Sequence, residues 1–219
     1  MPVGRRSRLL RWAAEGEERY LIEDDYDSEF RYTSRPIPAM QGLDRQGRVV
    51  YLGTLSRSIA PSIRVAYMIL PPALLERYRR EFPQSASTVS RFEQESLRRF
   101  LARGFYARHL RRTGNLYRKK CQLLTDALSG IPGVVISGHH AGLHFLLTVP
   151  GRSEEELVAA AAARSVRVQP LSRYCHSVSP IPSTLVLGYA GLGEEELTEA
   201  AQRLVEAFRE TGTATTPTA

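Results

Sequence analysis

Cysteine is scarce in this chain and builds no recognisable chemistry. Cys121 and Cys175 match no metal-ligand spacing and no disulfide framework, so a reducing cytoplasm is the expected compartment. Long hydrophobic runs are also missing. No stretch approaches the ~18–20 apolar residues that a spanning helix needs. The longest candidate, residues 157–163, is an alanine-rich amphipathic segment, so no membrane partner is expected. The basic N-terminus lacks the apolar core of a signal peptide. No helix-turn-helix, zinc-finger or RNP pattern occurs, so the chain is expected to carry no DNA-binding domain. The net charge of +7 comes almost entirely from arginines interleaved with glutamates, a pattern of solvated helix faces rather than a nucleic-acid surface.

What is present is the composition of a folded protein. Hydrophobic residues make up 42% and charged residues 24%, which excludes a disordered chain. The exception is the tail, residues 211–219, whose small polar residues cannot offset ordering entropy and predict disorder. Residues 4–15 space their apolar side chains as one helical face. Three short apolar runs, 20–23, 49–54 and 65–70, read as buried strands, with a Pro, Arg and Gly-rich loop over 33–46. Tyr20 and Tyr67 read as core residues. After Pro72 the pattern turns helical: 73–82, then 87–103 with Ser87 or Ser90 as N-cap and Gly104 as stop, then 105–128 with Gly114 as a possible bend. Strands at 134–137, 143–149, 166–170 and 184–188 and helices at 153–164 and 193–210 follow.

Two segments concentrate chemistry. The first, residues 22–32, reads IEDDYDSEFRY; the second, residues 51–67, reads YLGTLSRSIAPSIRVAY. Each follows a strand, and the C-terminal ends of adjacent strands are where α/β sheets bind ligands. Thr54, Ser56, Ser58, Ser62 and Arg64 supply hydroxyls and a guanidinium suited to a phosphate. Asp24 and Tyr26 supply a carboxylate that can keep a heterocyclic nitrogen protonated and a phenol that can bond a ring oxygen. Together these are the groups a pyridoxal phosphate site uses.

The pair of segments resembles the fold-type-I aminotransferase domain of MocR/GabR-type (GntR family) transcription regulators. SRFEQ at Ser90, GFYARHLRR at Gly104, AGLH at Ala141 and LVLGYAGL at Leu185 extend the resemblance to nearly the whole chain. It implies an α/β fold: a remnant of the large pyridoxal phosphate domain with a mostly parallel sheet (1–72), a helical connector (73–128), a small α+β domain (129–210) and the tail. It implies cofactor-binding roles for Asp24 at the pyridine nitrogen, Tyr26 at the ring oxygen, and Thr54, Ser56 and Arg64 at the phosphate. Arg57 stands where the family has its Schiff-base lysine. Guanidinium offers no amine that can lose its proton, so the internal aldimine is not expected, and no residue is assigned as catalytic. Lys119 and Lys120 lie outside the motif. The stretch 185–188 also lacks the arginine that binds an amino-acid carboxylate.

The resulting expectation is a truncated regulatory module, started inside the family's domain, that binds pyridoxal phosphate weakly or noncovalently, senses an amino-acid-like effector and forms a homodimer. The rivals are an active aminotransferase and a cofactor-free dimerisation fragment. No metal is expected: His139, His140 and His144 have no acidic or cysteine partner nearby, and His144 reads as a buried, hydrogen-bonded side chain. Cys175 beside His176 is not read as a nucleophilic dyad, since such partners must meet in space.

Overall fold

The computed structural model describes residues 1, 3–32, 38–176 and 183–209. The tail expected to be disordered lies outside them. The chain divides into two compact units, Met1–Glu29 with Ser34–Arg111, and Phe30–Thr33 with Arg112–Ala219.

The first unit holds α1 (Val3–Ala14), β1 (Leu21–Asp25), α2 (Met40–Leu43), β2 (Val49–Thr54), β3 (Ala66–Ile69), α3 (Pro72–Glu81) and α4 (Arg91–Ala102). Its sheet has the order β1-β2-β3 and is mixed: β1 and β2 run parallel, while β3 returns antiparallel to β2. The reason is length. Only residues 55–65 separate β2 from β3, too few for the crossover that a parallel pair requires. The expected loop over 33–46 contains one helical turn, α2, whose first amides donate to the Glu23 carboxylate at 2.9 and 3.0 Å. Ser90 is the N-cap of α4 and forms a reciprocal capping box with Glu93.

Burial corrects two readings. Every residue of β3 is exposed, although its sequence is as apolar as that of a covered strand. Tyr67 is 43% exposed; its ring lies across Gly53, where an added Cβ would fall 2.3 Å from the ring carbon Cζ. Tyr20 is half-buried with the Arg48 guanidinium over its ring.

Most of the second unit follows from within α5 (Phe105–Leu128), a helix that is continuous through Gly114. Its strands β4 (Val135–Ser137), β5 (His144–Thr148), β6 (Gln169–Pro170) and β7 (Thr184–Gly188) form an antiparallel sheet in the order β4-β5-β7-β6. Helices α6 (Glu154–Ala163) and α7 (Glu194–Arg209) contribute to one closed core that includes Leu128, Phe145, Leu147, Leu157, Leu185 and Leu197. The strand expected over 166–170 starts late and spans only Gln169–Pro170, and a 3-10 turn (Leu171–Tyr174) follows at once. Buried Glu154 accepts the amides of Leu171 and Ser172 at 3.1 and 3.3 Å. Those bonds satisfy a charge whose burial would otherwise be costly.

Candidate functional site

Parallel pairing of β1 with β2 sets Asp24 opposite Leu52 and Asp25 opposite Gly53. Both strands therefore end on the same side of the sheet, the side where open α/β sheets hold ligands. Alternation along β1 sorts the acids. Glu23 and Asp25 share one face and are both bonded: Glu23 caps α2 and lies 3.5 Å from Arg6, and Asp25 accepts the Tyr51 hydroxyl at 2.8 Å. Asp24 faces the other way and is exposed. Among the described residues its carboxylate has no hydrogen-bond or ion-pair partner.

After β2 the chain makes a tight turn. Leu55 N–H donates to Val65 O at 3.0 Å and Ile59 N–H to Leu55 O at 2.9 Å. Thr54 Oγ1 donates to Val65 O at 3.3 Å and accepts Ser56 N–H at 3.2 Å, while Ser56 Oγ donates to Ile63 O at 2.5 Å. Both hydroxyl protons are thus committed to the turn itself. Pro61 sits inside this return, where its missing N–H and fixed φ suit a turn.

The geometry gathers five of the six expected residues, Tyr26, Thr54, Ser56, Arg57 and Arg64, with Val65 and Ala66, around an open cavity of about 270 Å³. That is near the lower end of the size range of small-ligand sites, roughly 300–1,000 Å³. Asp24 does not line it but acts on Tyr26 through space. The Tyr26 phenol is pushed above its ordinary range, mainly by Asp27, then by burial and by Asp24, with Arg57 pulling the other way. Arg57 and Arg64 are exposed, and among the described residues no carboxylate or carbonyl engages either guanidinium.

A second cluster beneath the turn was not legible in the sequence. Ser58, next to Arg57, is 2% exposed. Tyr106 Oη lies 3.0 Å from Ser58 Oγ and 3.3 Å from Glu29 Oε1, placed to donate to either, and His109 Nε2 lies 2.8 Å from Ser58 O. Glu29 Oε2 is buried without a partner. Burial raises the Glu29 carboxyl above the ordinary range, against its hydrogen bonds. The only sequence signals were a hydroxyl beside Arg57 and an acid seven residues along from the start of the first motif.

The remaining singled-out residues have other surroundings. Lys119 pairs with Glu194 at 2.6 Å, and buried Lys120 donates to the carbonyls of Ala190 and Leu192. His144 is exposed, not buried as expected, because it opens β5 on the outward side of the alternation. The His139 and His140 rings are neighbours, with centroids 4.0 Å apart and planes tilted by 47°. Among the described residues no group of three or more His, Cys, Asp or Glu could hold a metal ion, and no helix is long and apolar enough to cross a membrane. Cys175 is exposed, and Cys121 is buried with its thiol pushed up by burial.

No protein-family model matches the chain. Individual proteins do. The HTH-type transcriptional regulator YhdI of Bacillus subtilis is 43% identical over 212 residues, covering 95% of this chain and 45% of the relative. The probable rhizopine catabolism regulatory protein MocR of Rhizobium meliloti is 35% identical over 207 residues, covering 93% of this chain and 41% of the relative. Among solved structures, Pyrococcus horikoshii kynurenine aminotransferase superposes with a TM-score of 0.83 at 25% identity, covering 98% of this chain and 53% of that one. The chain spans a little under half the length of the curated regulators it matches. Its sheets, helices and matched span make it a member of the aminotransferase-like family that MocR-type regulators share with the fold-type-I aminotransferases.

Proposed function

We propose that this chain is the ligand-sensing, aminotransferase-like module of a MocR-type cytoplasmic regulator, holding pyridoxal phosphate or a related effector by noncovalent contacts alone and catalysing no transamination. One observation carries the reading: Arg57 lines the cavity at the end of β1 and β2, and the resemblance sets this residue where the family motif has lysine. The residues fit the charged part of the cofactor. Arg64 would take phosphate oxygens, Asp24 would face the ring nitrogen, Tyr26 the ring oxygen, and Arg57 would stand where the resemblance sets the aldehyde carbon. Thr54 and Ser56 would contribute chiefly by shaping the turn, since their protons are already committed. The residues do not fit a covalent link, because guanidinium supplies no deprotonated amine.

Pyridoxal phosphate, when bound, supplies an electron sink. Here the side chains would bind and orient it. The active-aminotransferase reading needs an amine that Arg57 does not provide. Recognition of DNA would fall to parts of such regulators beyond the matched span, and an amino-acid-like molecule remains the effector class that the resemblance implies.

The test is direct. The chain is incubated with pyridoxal phosphate, reduced with borohydride and mapped by mass spectrometry. No stoichiometric adduct is expected on either of the two lysines, Lys119 and Lys120. A single fully modified lysine would overturn the reading. A second reading, a homodimer, has its own observation: β3 is exposed along its whole length.

A further inference from the structure

Arg57 and Arg64 place two permanent positive charges on one small cavity. Among the described residues neither is neutralised by a hydrogen-bonded carboxylate. Asp24 and Asp27 also act on Tyr26, which lines the same cavity. Like charges lining one small cavity repel, and a ligand with anionic groups relieves the repulsion. A phosphate monoester answers one guanidinium and leaves the other. At the second position the family motif presents an amine, which meets an aldehyde carbon. An arginine there presents a planar fork of N–H donors matched to a carboxylate.

We propose that the cavity selects a phosphate monoester with a second anion, a carboxylate at the ring carbon where pyridoxal phosphate bears its aldehyde. This rests on the cofactor-type reading of the cavity and goes further by naming the ligand. The same guanidinium disfavours an ammonium at that carbon. The affinity order is therefore carboxylate, then aldehyde, then amine. Loss of the lysine changes the site's chemical preference rather than merely emptying it of function.

The experiment titrates the full chain with 4-pyridoxic acid 5′-phosphate, pyridoxal phosphate and pyridoxamine 5′-phosphate by calorimetry. The carboxylate is expected to bind about fivefold to tenfold tighter than the amine, the combined scale of one attraction gained and one like-charge repulsion avoided at an exposed site. Arg57→Gln should collapse that preference to within about twofold, and Arg64→Gln should weaken all three ligands together. Both arginines are exposed, so neither substitution removes a core contact, and melting curves verify the fold. Equal binding of all three ligands that still depends on Arg64, or tighter binding of the amine, would overturn the inference and leave the cofactor-type reading standing. Absence of binding by any of the three, or binding indifferent to both substitutions, would overturn both.

Discussion

Two apolar strands of this protein have opposite fates. In β7, Leu185 and Leu187 are 0% and 4% exposed, packed in a core that α6 and α7 help to close. In β3, Tyr67, Met68 and Ile69 are 43–52% exposed. Their compositions are alike, and a strand that is apolar on both faces is normally one covered on both. The difference teaches that apolarity states a demand for cover, and only the neighbouring elements decide whether it is met. It also locates the candidate site, because the exposed strand supplies Ala66 to the cavity rim and the turn before β3 supplies Arg64.

The largest expected effect tests the covered side. Leu147→Ala, at a fully buried position, should cost ~2–5 kcal/mol in urea denaturation. Met68→Ala, at 52% exposure, should cost about 0.5 kcal/mol or less. Similar costs would show that β3 is covered in solution. The next effect concerns what could cover it. Hiding a few hundred Å² of this face at ~25 cal/mol per Å² offers several kcal/mol toward self-association. Light scattering at micromolar concentration should give a mass above that of the 24.5 kDa chain, and Met68→Lys should move it back toward one chain. A monodisperse single chain before substitution would break the comparison.

The smallest effect sharpens the turn beneath the site. Glu29 has a raised folded-state pKa through burial, so the native state holds its proton more tightly than the unfolded one. Its contribution to stability is full below the unfolded value and is lost as pH rises through the folded value. Glu29→Gln should therefore raise the melting temperature above the folded pKa, by about 2–4 °C per kcal/mol recovered. The gain should fade in acid. A gain of equal size at pH 4 and pH 8 would exclude the titration as its cause.

Sequence alone was enough for whatever depends on neighbours along the chain. Ser90, one of the two N-cap candidates, caps its helix because a hydroxyl three residues before a glutamate satisfies the first free amides. The two motifs, each following a strand, marked the end of the sheet where the cavity lies, and the resemblance named the family. Tertiary structure decided the rest. Glu23, Asp24 and Asp25 look alike in sequence, yet pairing with α2 and Tyr51 occupies the outer two and leaves Asp24 without a bonded partner. Ser58 is bonded to α5 residues about fifty positions away in sequence. His144 and Tyr67, read as core, are exposed. Periodicity, caps and turns arise from a few adjacent residues, whereas burial and partnership depend on segments that meet only after the chain has folded.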